Sequence, residues 1–431
     1  NKLGIKYFSG CGEDHVGRPF HGIQGLYHAS GVRTFARSEL LNHLTRCGLK
    51  AVRFYYPFPD YKLPSVIISD RALRDPGFDA VDLLAFIRSR DYSGRRYRLF
   101  DEALVLREIA GAGLLGEFSN SFLAVGERHP REDTATADLA ACYAVDRKPQ
   151  FATQTRFVRS SRDAIEVLKE PLLADGTRCT NLPDGSTLHQ VLETTPYRRG
   201  RLSVWRLWEA RAKEGELEEI VATLQPWFAL LVSKSSQTAS SFQQDVKLSD
   251  LTIPGRHIDL TPHNLIEADG ELIEIDEEWR IDRQISLGWV VTRAVWHCLG
   301  TVSGFEAGPL RIADVIRALA SACNLAVSES DIAGWLEQDV GLQEAVVGWA
   351  AEKPATDINS NSLPALDQLT PRNAETLSIH EAALLRQRLD RTDAALAYAQ
   401  ALAIERAHEI QALSARMDVT HRALHEAQSF A

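Results

Sequence analysis

A single methionine, Met417, stands in 431 residues, and the chain opens on Asn1 directly in ordinary domain sequence, NKLGIKYF. That opening leads us to expect a segment upstream of Asn1, making this a C-terminal part of a longer protein. The six cysteines (Cys11, Cys47, Cys142, Cys179, Cys298 and Cys323) include no C-x-x-C pair. Scattered in this way they read as reduced thiols of a cytosolic protein, not as a disulfide framework. No apolar run approaches the roughly 20 residues a membrane-spanning helix needs, and no signal peptide opens the chain. Basic residues are in the minority, 48 against 58 acidic, for a net charge of −10. No electrostatic footprint for nucleic acid exists on that balance. With 45% hydrophobic and 25% charged residues, the composition is that of a globular protein, and the length predicts two or three units.

Residues 1–127 alternate helical and extended patterns. RSELLNHLTRCG has the apolar spacing of a helix that ends at Gly48. KAVRFYYPFPDYKLPSVIIS has strand-rich ends around a turn at Pro57 to Asp60. RLFDEALVLREIAGAGLLG reads as a further helix, followed by the apolar run NSFLAVG. The polar stretch ERHPREDTATAD, starting at Glu127, marks a boundary, with a linker at 128–138. From 139 the chain is strand-like, including FATQTRFV and AIEVLKEPL. Beyond Arg201 the helical patterns lengthen, so 139–351 reads as a small β unit followed by a helical one. Residues 352–373 form a polar linker rich in Asn, Ser and Pro.

From Ala374 to the end there is neither glycine nor proline. Leu385, Leu389, Thr392, Leu396, Ala399 and Ala403 start a 4-3 spacing that continues to Leu424. That heptad predicts a coiled coil over 374–431 and with it a homo-oligomer; a single helix packed on the preceding unit is the other reading.

The stretch RHIDLTPHNLIEADGELIEIDEEW, from Arg256 to Trp279, carries the chemistry. Two alternating apolar runs flank Asp269-Gly270, the dipeptide that favours a type I′ hairpin turn. Counted outward from that turn, Asn264 faces Ile275, so Asn264 and Asp276 emerge together at the open end. An amide oxygen beside a carboxylate suits Mg²⁺, which leaves positions for water and phosphate. Asp259, on the loop leading in, can accept a proton from a substrate hydroxyl. That division of labour is the one phosphoryl transfer requires. His257 is expected to brace the loop.

HIDLTPHN resembles the catalytic loop H-x-D-L-x-x-x-N of the protein-kinase-like superfamily. IDEEW is similar to the I-D-x-E that replaces D-F-G in the aminoglycoside phosphotransferase and choline kinase branch. The resemblance implies a bilobal α+β kinase-like domain using ATP and Mg²⁺, with Asp259 as catalytic base and Asn264 and Asp276 as metal ligands. Lys169 in AIEVLKEP resembles the lysine that pairs with nucleotide phosphates; a solvated edge lysine is the alternative. No G-x-G-x-x-G precedes it, CYAVDRKPQFATQTRF has no glycine, and no helix glutamate to pair with Lys169 is assigned. TTPYRRG is a candidate for the hinge that contacts adenine.

SGCGEDHVG does not follow an apolar strand or open a helix, so it is not a cofactor loop. Glu13, Asp14 and His15 within it are either an ordinary polar loop or face an acceptor in the intact enzyme. With GVRTFARSEL, PFPDYKLPSVIIS and NSFLAVG, residues 1–127 resemble the C-terminal half of a class I methyltransferase domain, an α/β Rossmann-like fold. The S-adenosylmethionine-binding half is expected upstream, so that cofactor belongs to the full-length protein.

The order of units resembles the bifunctional kinase–methyltransferases of O-antigen polysaccharide chain termination. The resemblance implies a glycan acceptor, a trimer through the coiled coil, a membrane-associated polysaccharide polymerase as partner, and a cytoplasmic location at the inner face of the membrane. Two other readings fit the same residues. One is a pseudokinase scaffold on an oligomerising stalk; the other is a methyltransferase whose kinase-like part only binds substrate.

Overall fold

The proline-bounded run KAVRFYYPFPDYKLPSVIIS folds as an antiparallel pair within the largest sheet among the described residues. The computed structural model describes residues 1–92, 99–129, 138–173, 176–213, 216–235, 246–299 and 310–348. The expected coiled coil, 374–431, and the linker before it lie outside the described residues, as does most of the expected linker at 128–138. What is described is a mixed α/β architecture with several antiparallel sheets.

The N-terminal strands are β1 (Ala51–Phe58), β2 (Val66–Ser69) and β3 (Leu123–Glu127), with helices α1 (Ile5–Phe8), α2 (Arg37–Arg46), α3 (Glu102–Gly111) and α4 (Leu115–Phe118) around them. Helix α2 ends as its sequence predicts: Gly48 takes φ +87°, a left-handed conformation that glycine adopts without strain. Helix α3 begins where Asp101 accepts hydrogen bonds from the amides of Ala103 and Leu104.

The next strands are β4 (Asp138–Ala144), β5 (Thr153–Arg159), β6 (Ile165–Pro171), β7 (Cys179–Asn181), β8 (Thr187–Gln190), β9 (Thr195–Pro196) and β10 (Arg201–Leu202). Seven strands make one sheet in the order β3-β1-β2-β4-β5-β6-β9. β2 pairs directly with β4, Val66 opposite Cys142 and Ile68 opposite Ala140. Residues 1–127 and the strands after 138 therefore share one sheet, and the polar stretch between them connects two of its strands. Every pairing in this sheet is antiparallel. The parallel strands of a Rossmann-like fold are not found in it.

The core divides elsewhere. Phe54, Tyr56, Phe58 and Leu106 pack with Leu139, Phe157 and Ile165 in one cluster. A second, larger cluster gathers Trp205, Trp208, Trp227, Phe228 and Trp289. Its helices are α5 (Val204–Ala212), α6 (Leu217–Ser233), α7 (Leu287–Leu299), α8 (Ile312–Ala322) and α9 (Glu329–Val347). LGWVVTRAVWHCL is apolar around most of its circumference, so α7 is the central, mostly buried helix of this half. Gly288 lets α9 approach it: a Cβ there would lie 2.1 Å from Trp335 Cζ2. Helix α9 starts with a capping box, the Ser328 hydroxyl accepting from the Asp331 amide and Asp331 accepting from the Ser328 amide. Among the described residues, no helix is long and apolar enough to cross a membrane.

Candidate active site

Between the helices runs the remaining β structure: β11 (Thr252–Pro254), β12 (Leu265–Ala268), β13 (Glu271–Glu274), β14 (Trp279–Ile281) and β15 (Gln284–Ser286). β12 and β13 form the expected hairpin, Ala268 opposite Glu271 and Leu265 opposite Glu274. Asp269 and Gly270 at its tip have φ of 52° and 83°, the two positive values a type I′ turn demands. The ladder continues one step outward, where the Ile275 amide donates to the Asn264 carbonyl at 3.0 Å. Asn264 therefore sits opposite Ile275, and Asp276 follows at the mouth of the ribbon.

The loop ahead of the hairpin is folded on itself. The Thr261 amide donates to the Asp259 carbonyl at 2.7 Å, and Asn264 Nδ2 donates to the same carbonyl at 3.0 Å. Trp227 Nε1 braces the loop from α6 by donating to the Leu260 carbonyl at 2.9 Å. Gly255 opens this loop where no side chain fits, since a Cβ would lie 2.3 Å from the Ile281 carbonyl oxygen. His257 is buried, its Nε2 accepting from Arg256 Nε at 3.1 Å. Its Nδ1 has no hydrogen-bond partner among the described residues.

Asn264, Asp276 and Lys169 line one cavity of about 500 Å³. Its roof includes Phe157, Val167 and Lys169 of β5 and β6, and its floor Leu202, Ile266 and Ile275. Thr195, Pro196, Tyr197 and Arg198, from the expected hinge segment, line it as well. Asp259 is not among the lining side chains; it adjoins the cavity through Asn264. The Asp259 carboxylate receives Arg293 of α7, Nη2 at 2.8 Å and Nε at 3.2 Å, both on Oδ1. Arg293 is fixed in turn by Asp339 of α9, at 2.9 Å. Asp339 is fully buried and also accepts from Trp289 Nε1 and meets His297 Nε2 at 2.8 Å.

Lys169 is an inward, not an edge, lysine. Nζ lies 2.6 Å from Asp276 Oδ1 and 3.0 Å from Glu278 Oε2. Burial alone would lower its pKa, but the two carboxylates more than offset that and raise it. Glu278 is 5% exposed, and its other oxygen accepts from Arg147 Nη1 at 2.5 Å and Gln190 Nε2 at 2.6 Å. Burial opposes its ionisation, yet Lys169 and Arg147 hold the carboxyl below the usual range. Asp276 has no guanidinium of its own. Although 42% of its side-chain surface meets solvent, removal from bulk water pushes its carboxyl up, with Glu278 and Asp259 adding to Lys169's failure to compensate. Arg147 serves Glu278 and Arg293 serves Asp259, so Asp276, which shares Lys169 with Glu278, is the carboxylate a further cation would relieve.

Two oxygen donors, Asn264 Oδ1 and the Asp276 carboxylate, fit Mg²⁺, which takes one or two protein oxygens and completes its shell with phosphate and water. No cluster of three His, Cys, Asp or Glu side chains able to enclose a metal occurs among the described residues.

Several of these roles were not assigned from sequence. Glu278 is the missing lysine partner, and its signal was present in IDEEW, because residues 276 and 278 share one face of an extended segment. Arg293 gave no local cue. Nor did the outer wall of the cavity, formed by Asp79, Asp82, Leu83 and Phe86 of the N-terminal part. Asp82 accepts from Trp205 Nε1 at 2.6 Å, and burial, with repulsion from Asp79, pushes its carboxyl up to about 7. No protein-family model, no curated protein and no solved structure matches the chain.

Proposed function

We propose that the chain is an ATP- and Mg²⁺-dependent phosphotransferase acting on a glycan hydroxyl, on a bilobal kinase-like scaffold. The observation that carries this reading is the convergence of Lys169, Asn264 and Asp276 on one cavity, with Asp259 adjoining. In the reaction the acceptor oxygen attacks the γ-phosphorus, the bond to the β-phosphate oxygen breaks, and ADP leaves. Asp259 takes the acceptor proton on Oδ2, since Arg293 contacts only Oδ1. Lys169 meets the phosphates while Glu278 keeps it in place. Asn264 and Asp276 would hold Mg²⁺, which would supply charge neutralisation at the phosphates. In the same reading residues 1–127, although their strands share an antiparallel sheet with β4, act with a methyltransferase half that binds S-adenosylmethionine in the full-length protein. Residues 374–431 then form an oligomerising coiled coil, and the partner is a polysaccharide-assembly polymerase at the cytoplasmic face of the membrane.

The test is phosphate transfer from ATP to candidate glycans with Mg²⁺, comparing wild type with Asp259→Asn. Transfer by wild type that falls at least about 100-fold in the variant is expected, in line with the usual contribution of a general base. Equal transfer by both removes Asp259 from the mechanism.

A pseudokinase scaffold is the second reading. The connection from β4 to β5, Val145 to Ala152, has no glycine, so nothing there resembles a phosphate-cradling loop. No thermal shift with any Mg·nucleotide is its signature.

A further inference from the structure

One carboxylate outside this cavity is left unanswered by the proposed phosphotransfer. Glu13 is 1% exposed, and its Oε1 is buried with no hydrogen-bond partner among the described residues. Its other oxygen accepts from the His15 amide at 3.1 Å. The backbone around it is fixed, with the Glu13 amide donating to the Arg18 carbonyl and the Gly17 amide donating back to the Glu13 carbonyl at 2.7 Å. Leaving a buried carboxylate oxygen without a donor is costly. Glu13 lines a second cavity, of about 230 Å³, together with Tyr7, Phe35, Tyr61 and Phe122.

Several other polar groups of that cavity are already committed. Asp14 Oδ1 accepts from Lys6 Nζ at 3.1 Å and Asp14 Oδ2 from Lys62 Nζ at 3.2 Å. Asn120 donates twice through Nδ2 and accepts the Lys6 amide through Oδ1. The Ser121 hydroxyl accepts from the Tyr61 amide. The buried opening at Glu13 is an acceptor, so a ligand must bring a donor there. Lys6 and Lys62 stand against Asp14 and Glu13, so these side chains balance in charge and neither an anion nor a cation gains net attraction there. A cationic amine would meet Lys6 Nζ, which lines the same cavity. A neutral hydroxyl group against aromatic faces satisfies all three constraints.

We propose that this cavity is a binding site for one hydroxyl-rich ring or polyol of monosaccharide size, with Glu13 Oε1 accepting a ligand hydroxyl and Tyr61 forming the rim. The volume is below the range of drug-sized pockets and admits a single ring. The site is separate from the Lys169 cavity and does not depend on phosphotransfer there.

Saturation-transfer NMR on the full chain with glucose, galactose, N-acetylglucosamine and glycerol tests it, with spermidine and inorganic phosphate as contrasting probes. Transfer to at least one sugar or to glycerol is expected, weakened about tenfold or more by Glu13→Gln and by Tyr61→Ala, and unchanged by Asp276→Asn. Tyr61 is exposed, so its substitution leaves the fold intact if Glu13→Gln does not. Binding of spermidine or phosphate in place of the hydroxyl ligands overturns the proposal. So does sugar binding indifferent to both variants, or no transfer to any probe.

Discussion

Lys169 and Glu278 stand 109 residues apart in the chain, yet Nζ and Oε2 meet at 3.0 Å in a buried pair. Arg147 and Gln190 converge on the other oxygen of the same glutamate. Removing this one carboxylate takes a partner from three donors at once, and breaking a buried pair from one side is more damaging than its net worth suggests. Glu278→Ala is expected to lower unfolding stability by about 3–5 kcal/mol. Glu278→Gln keeps an acceptor oxygen and is expected to lose less. Urea denaturation of the two variants checks the order, and nucleotide-dependent thermal shifts should weaken in both.

The cavity wall from the N-terminal part makes a pH-dependent prediction. Asp82 has a folded-state pKa raised to about 7 by burial first and by Asp79 second. An acid whose pKa is raised on folding favours the folded state most when protonated. Its contribution is therefore present at low pH and is lost as pH climbs from the ordinary carboxylate range through about 7. Asp82→Asn keeps the acceptor for Trp205 Nε1 and removes the charge. The variant should be more stable than wild type at pH 8 by more than about 1 kcal/mol. Its melting temperature should also fall less between pH 4 and pH 8, which a pH series of thermal melts would register.

Asp339 carries the opposite sign. Burial opposes its charge, but Arg293 and His297 outweigh that and hold its carboxyl well below the usual range. Its stabilisation is present above the ordinary carboxylate pKa and fades as pH falls below it. Asp339→Asn is expected to be destabilised by about 3–5 kcal/mol at neutral pH, with the gap narrowing in acid. Because Arg293 also holds Asp259, the variant should lose transferase activity beyond what its remaining folded fraction accounts for.

Gly255→Ala tests how rigidly the loop is seated. The added Cβ would fall 2.3 Å from the Ile281 carbonyl oxygen and 2.5 Å from that of Arg283, both backbone atoms that cannot rotate aside. A loss of about 1–3 kcal/mol is expected from overpacking. Displacement of the turn bearing His257 and Asp259 should depress transfer more than nucleotide binding. A variant with wild-type urea midpoint and wild-type turnover would show that the loop yields easily.

What the sequence made legible is what short-range rules govern. The end of α2 at Gly48 follows from glycine's access to positive φ. The Asp269-Gly270 turn, and with it the pairing of Asn264 opposite Ile275, follows from counting along two strands. These depend on neighbours a few residues apart. Three other relationships do not. Glu278 reaches Lys169 across the whole β unit, Arg293 reaches Asp259 from a helix whose pattern says only that it is apolar, and Asp82 reaches Trp205 from what was read as another domain. No periodicity encodes such meetings; they arise when elements pack. The polar stretch after Glu127 reads as an interdomain linker by composition alone, while the strands on either side of it, β3 and β4, belong to one sheet.

The pairing of β2 with β4 has a consequence for anyone who cuts this chain. Severing it near residue 130 would yield two pieces, each presenting a naked row of backbone donors and acceptors along Val66–Ile68 or Ala140–Cys142. Exposed strand borders of that kind recruit one another. The fragments would then clump or re-dock, and neither would behave as an independent module.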